Sequence, residues 1–157
     1  MENRVNINKV QPQAYKAMYA LEAYLAASTL TKTHRDLIKI RASQINKCAY
    51  CIDMHTKDAL ANGETTQRIF LLDAWRETNL FTEEEKIILA ITEEVTLVHE
   101  HGLTEDTYKM ASGIFDPSFI AQIIMAVVTI NGWNRIAIST NMGFGIVNNL
   151  SVQEELN

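Results

Sequence analysis

Helical periodicity runs through almost the whole of this sequence and constrains its fold more than any other feature. Apolar residues recur three and four positions apart in segment after segment, whereas the period-two alternation that marks β-hairpins is nearly absent. The sequence therefore predicts an all-α fold. Its 157 residues, of which 47% are apolar and 21% charged, suffice for one domain with a single core. We accordingly assign residues 1–157 to one domain.

Capping signals divide the chain into seven predicted helices. Thr82 and Glu85 have the spacing of a capping box, which predicts a helix that begins at this point. Asn46 is a good N-cap residue, so we expect a helical hairpin around Asn46 with Cys48 in the first turn of its second helix. The predicted helices cover residues 12–28, 31 or 33 to 45, 48–60, 65–78, 82–100, 104–112 and 117–141, and the tail from Met142 is expected to be loosely ordered.

Charge and hydropathy argue against several classes of partner. The net charge of -5 provides no basic surface for nucleic acid or for an anionic membrane. The first five residues are polar, and the longest apolar run, 119–130, contains Gln122 and is too short to span a bilayer. We therefore expect a cytoplasmic protein with neither a nucleic-acid partner nor a membrane partner.

The two cysteines, Cys48 and Cys51, stand three positions apart and are followed by His55. Residues three and four apart share one face of a helix, so these three side chains are expected to lie together. Backbone N–H groups at a helix N-terminus favour a thiolate, and a histidine four residues further on can accept and return a proton. A second thiol converts a sulfenic acid to a disulfide. This spacing favours thiol redox chemistry.

Asp36 is a further candidate for the site. A turn near Asn46 would place Asp36 and His55 at equal distances from the bend of an antiparallel hairpin, where the carboxylate could orient the imidazole. The alternative is that the helix begins at Thr33, in which case Asp36 only supports the cap at its N-terminus.

The segment DLIKIRASQINKCAYCIDMHTKDA, residues 36–59, resembles the core of the AhpD-like alkylhydroperoxidases, the CxxC branch of the carboxymuconolactone decarboxylase superfamily. The similarity extends to residues 82–86, 103–106 and 130–135. The resemblance implies an AhpD-like helical domain and trimers or hexamers. We expect the protein to need no cofactor and no metal. The resemblance also implies hydroperoxide reduction, with Cys51 as the attacking thiol, Cys48 as the resolving thiol and His55 in the proton relay.

The resemblance further implies a dithiol reductant protein, either lipoylated or thioredoxin-like. Two positions depart from the family pattern: Asp36 stands where a glutamate is usual, and Tyr50 stands where some members have histidine.

Two other functions compete with the peroxidase hypothesis. A non-catalytic dithiol sensor or carrier would need the same thiols. A zinc-binding structural protein would combine Cys48, Cys51 and His55 with His99 or His101.

Overall fold

The computed structural model describes residues 4–143, and every regular element among them is helical. Eight α-helices follow one another, and a 3₁₀ segment, Leu72–Glu77, continues the fifth. The helices are α1 (Ile7–Val10), α2 (Pro12–Ala26), α3 (Lys32–Ile45), α4 (Ala49–Ala61), α5 (Thr66–Leu71), α6 (Glu83–Thr96), α7 (Glu105–Ser112) and α8 (Pro117–Thr140). The prediction of an all-α fold is confirmed.

Most predicted helix boundaries lie within two residues of the observed ones. The Thr82–Glu85 capping box forms with both of its hydrogen bonds. Three details differ: α1 was not predicted, the 65–78 helix changes to 3₁₀ geometry at Leu72, and α6 ends at Thr96 rather than near residue 100. Beyond its first two residues, the tail from Met142 lies outside the described residues.

The central element of the fold is α8, which contacts α2, α3, α4, α6 and α7. Its inward face contributes fully buried Ile123, Val127 and Ile130 to the main hydrophobic core. By length and composition alone, this 24-residue helix would also qualify as a membrane span, but the core helix of a globular domain meets the same criteria. The contacts with five other helices identify α8 as the helix around which the others pack.

The predicted helical hairpin is formed by α3 and α4, although its turn differs from the prediction. Asn46 is the C-cap of α3 rather than the N-cap of α4. Lys47 takes the left-handed conformation with φ 56°, and the N-cap of α4 is Cys48 itself. The assignment of Asn46 as N-cap is therefore wrong. Its side chain reaches across to α8 and donates hydrogen bonds to Asn131 and Asn134.

Candidate active site

The two cysteines are buried at the N-terminus of α4. Cys48 is 1% exposed and Cys51 is 2% exposed, and both are free thiols that form one buried cluster with Ala137 of α8. The Cys48 thiol is close enough to the Cys51 thiol to affect its pKa. The pair is thus placed for a disulfide to form between neighbours in sequence and in space.

The electrostatic state of Cys51 differs from the expectation. Burial, reinforced by the neighbouring Cys48 thiol, raises the pKa of Cys51 to about 12. The helix N-terminus therefore does not produce a thiolate at neutral pH, because the cost of burying a charge outweighs the helix dipole. The predicted thiolate is wrong for the resting state. A reaction at Cys51 needs a base that accepts its proton.

His55 is the base closest along the helix, one turn after Cys51. The imidazole is 7% exposed, and burial together with the nearby charge of Lys39 lowers the pKa of His55 to about 4. His55 is therefore neutral at physiological pH, the form that accepts a proton. Its Nδ1 atom lies 3.9 Å from a carboxylate oxygen of Asp58.

Cys51 and His55 line the same cavity, whose volume is about 310 Å³. Of the two cysteines, both in the described part of the chain, only Cys51 lines the cavity. The remaining wall is rich in large side chains, among them Tyr15, Tyr19, Tyr50, Met54 and Trp133. Cys51 is thus the thiol that a small molecule in this cavity would meet.

Three charged residues in the cavity wall were not predicted from the sequence: Glu22, Lys39 and Asp58. Glu22 of α2 accepts hydrogen bonds from Lys39 Nζ and Trp133 Nε1, each at 3.0 Å. This arrangement joins α2, α3 and α8 at the cavity. No short-range sequence signal marks it, because Glu22 and Trp133 stand 111 residues apart.

Asp36 and His55 line a second cavity, of about 300 Å³, which shares Lys39, His55 and Asp58 with the first. The hydrogen bond that the Asp36 carboxylate accepts comes from Asn62 Nδ2 at 2.9 Å. Burial raises the pKa of Asp36, partly offset by this bond. Because α3 starts at Lys32 with Thr31 as its N-cap, Asp36 lies beyond the first turn. The alternative in which Asp36 supports the cap is therefore wrong.

Two polar side chains beside Cys51 were also missed by the sequence analysis. Ser43 of α3 and Asn134 of α8 are both fully buried, and each acts to lower the pKa of the neighbouring Cys51 thiol. A signal for one of them existed: Asn131 and Asn134 interrupt a mainly apolar helix, where asparagine is a poor helix former. A buried asparagine in such a place needs a partner.

The zinc site considered above is not assembled in this structure. Within residues 4–143, no three side chains of His, Cys, Asp or Glu lie together so that they could hold a metal ion. His99 and His101 are exposed in the segment between α6 and α7.

The buried imidazole makes stability depend on pH. The pKa of His55 is lower in the folded chain than in the unfolded one. The contribution of neutral His55 to folding stability is therefore present above about pH 6.5 and is lost as the pH falls towards 4. When the pH is lowered from about 7 to about 4.5, we expect the unfolding free energy of His55→Gln to fall by roughly 2 kcal/mol less than that of wild type. Urea unfolding of both proteins at the two pH values measures this difference. Equal losses would show that His55 is not buried as a neutral group.

Comparisons with known proteins agree with this architecture. Residues 12–94 match the model of the carboxymuconolactone decarboxylase family. The uncharacterized protein YdfG of Bacillus subtilis (strain 168) is 40% identical over 139 residues, which cover 88% of this chain and 95% of YdfG.

Two solved structures are also similar. A protein of unknown function from Agrobacterium tumefaciens, a candidate antioxidant defence protein AhpD, has a TM-score of 0.89 and 38% identity, and the match covers 92% of this chain and 99% of that one. An uncharacterized peroxidase-related protein from Silicibacter has a TM-score of 0.71 and 25% identity, with 82% of this chain and 68% of that one covered. Together with the CxxC pair at the start of α4, these matches show that the chain belongs to the AhpD-like carboxymuconolactone decarboxylase family.

Proposed function

We propose that the protein is a thiol-dependent peroxidase that reduces hydroperoxides through Cys51 and Cys48. The observation that carries this proposal is the placement of the two thiols: Cys51 lines the cavity, whereas Cys48 is buried in the same cluster and does not line it. A substrate in the cavity meets one thiol, and the oxidised product of that thiol meets the other. The antioxidant and peroxidase-related descriptions of the two similar structures are consistent with this chemistry.

In the first step Cys51 attacks the hydroperoxide. The Cys51 proton passes to the neutral imidazole of His55, and the sulfur forms a bond to the terminal peroxide oxygen. The O–O bond breaks, and the leaving alkoxide takes the proton from His55 to become an alcohol. Sulfur is oxidised to a sulfenic acid while the peroxide is reduced.

In the second step the Cys48 sulfur displaces hydroxide from the Cys51 sulfenic acid. Its proton leaves with the hydroxide as water, and a Cys48–Cys51 disulfide remains. A dithiol then reduces this disulfide by thiol–disulfide exchange and becomes a disulfide itself. The reductant in this proposal is a lipoylated or thioredoxin-like protein. Cys51 at the cavity wall is the sulfur that it would reach.

Asp36 completes the proposal as a group that adjusts His55 from the second cavity. Asp36 and Lys39 both line that cavity with His55, and the charge of Lys39 lowers the pKa of the imidazole. We keep assembly into a trimer or hexamer and a cytoplasmic location as predictions.

Steady-state turnover tests the proposal against the dithiol sensor. With tert-butyl hydroperoxide and excess dithiothreitol, we expect continued consumption in which each hydroperoxide yields one tert-butanol and one oxidised dithiothreitol. Protein whose thiols have been alkylated beforehand is the control for the uncatalysed reaction. Consumption that ends after one hydroperoxide per chain, with the disulfide left in place, would favour the sensor.

A further inference from the structure

A chain of polar side chains leads from half-buried Asn131 on α8 to Ser43 and Asn134, which are fully buried beside the cysteine pair. The Ser43 carbonyl accepts the backbone N–H of Cys48 at 3.0 Å, and Asn134 lies one turn before Ala137, which packs in one cluster with both cysteines. Asn46 Nδ2 donates to Asn131 Oδ1 and to Asn134 Oδ1, each at 2.9 Å. Asn134 Nδ2 donates to Ser43 Oγ at 3.0 Å. Asn134 and Ser43 are fully buried, so water does not substitute for these partners.

The partners of Asn131 determine which group donates and which accepts in every hydrogen bond of this network. The carbonyl of Val127 can only accept, and it holds Asn131 Nδ2 at 2.9 Å. The guanidinium of Arg135 can only donate, and it holds Asn131 Oδ1, also at 2.9 Å. The Asn131 amide therefore has one orientation, with its oxygen towards Asn46.

The orientation of Asn131 in turn determines the donors and acceptors among the more deeply buried side chains. Because Asn131 presents its oxygen, Asn46 must present its Nδ2, whose second proton goes to Asn134 Oδ1. That bond turns Asn134 Nδ2 towards Ser43, on the side of the cysteine pair. Ser43 Oγ already accepts from Asn134, so its own proton remains for Cys51.

We propose that Ser43 and Asn134 are catalytic residues that donate hydrogen bonds to the Cys51 sulfur as it becomes negative, and that Asn46 is the positioning residue that orients them. The inference rests on the proposed function, in which Cys51 attacks as it loses its proton to His55. Donors that are already aimed at the sulfur need no reorganisation at that moment, which makes them effective in a buried site. Both side chains act on Cys51 to lower its pKa, against the larger effect of burial.

Alkylation by iodoacetamide tests this inference without any peroxide. In a Cys48→Ser background, Cys51 is the remaining cysteine, so the alkylation rate between about pH 7 and pH 10 reports its thiolate fraction alone. We expect Ser43→Ala and Asn134→Leu each to slow alkylation about tenfold at a given pH, equivalent to an upward shift of about one pKa unit. Asn46→Ala is expected to slow it by about threefold, because it releases the Asn134 amide.

Thr129→Val is the matched control. Thr129 is as buried as Ser43, but its hydroxyl donates to the carbonyl of Met125 within α8, so its loss is expected to leave alkylation unchanged. Far-UV circular dichroism shows which variants fold. If Asn134→Leu does not fold, Ser43→Ala, the smallest change, decides the outcome. Alkylation of folded Ser43→Ala at the rate of its parent would overturn the inference. Slower alkylation together with absent peroxide turnover would support the hydrogen bonds to Cys51 but refute the proposed function, and with it the catalytic role of the two residues.

Discussion

Replacing Cys51 by serine is expected to lower the rate of reaction with tert-butyl hydroperoxide by more than about 10³-fold, because a buried serine hydroxyl is a far weaker nucleophile than sulfur. Cys51 is the thiol that lines the cavity, so the remaining Cys48 thiol has no equivalent access. Stopped-flow measurement of hydroperoxide consumption in a single turnover gives both rates.

The reciprocal variant, Cys48→Ser, is the matched control. It keeps the attacking sulfur and loses the resolving one, so we expect the first step within about threefold of wild type and a sulfenic acid that persists long enough to react with dimedone. Further hydroperoxide then converts it to sulfinic acid, which mass spectrometry detects. If Cys48→Ser were the inert variant and Cys51→Ser the reactive one, the roles of the two thiols would be reversed.

Replacing His55 by glutamine is expected to slow the same single turnover by about 10²–10³-fold at neutral pH. Glutamine is similar in size but accepts no proton. Because the pKa of Cys51 is about 12 and that of His55 about 4, wild type keeps both its thiol and its neutral base across the range between. Its rate should therefore stay nearly flat from about pH 5 to pH 9.

Without the base, only thiolate formed by hydroxide can react, so the rate of His55→Gln should rise about tenfold with each pH unit. The gap between the two proteins closes as the solution becomes more alkaline. His101→Gln, a change at an exposed histidine outside the cavity, serves as control and should follow the wild-type profile. Parallel profiles for wild type and His55→Gln would remove His55 from the proton transfer.

The helices themselves were largely predictable from local signals. A capping box needs only residues three apart, so Thr82 and Glu85 mark the start of α6 whatever the rest of the chain does. The helix period likewise places Cys51 and His55 on one face of α4 before any tertiary contact is known.

The turn before α4 shows where local reasoning fails. Asn46 has the side chain of a good N-cap, but a tertiary partner on α8 competes for it, and the helix starts two residues later.

The prediction of a thiolate at Cys51 failed for a related reason. The sequence shows that it lies near a helix N-terminus but not how deeply it is buried, and burial decides the sign of its pKa shift.

The cavity could not be predicted because its walls come from distant parts of the chain. Glu22 on α2, Lys39 on α3 and Trp133 on α8 meet only after the helices pack. The CxxC motif indicated the chemistry, whereas the access of a substrate to one thiol and not the other is a property of the packed helices.

The most direct test of this account is the rate at which reduced wild-type protein loses its thiols to one equivalent of tert-butyl hydroperoxide at neutral pH. The account predicts loss of both cysteine thiols of each chain, a Cys48–Cys51 disulfide in the product, and a rate well above that of free cysteine under the same conditions. Loss of the thiols no faster than from free cysteine would contradict it, because the cavity and His55 would then contribute nothing to the reaction of Cys51.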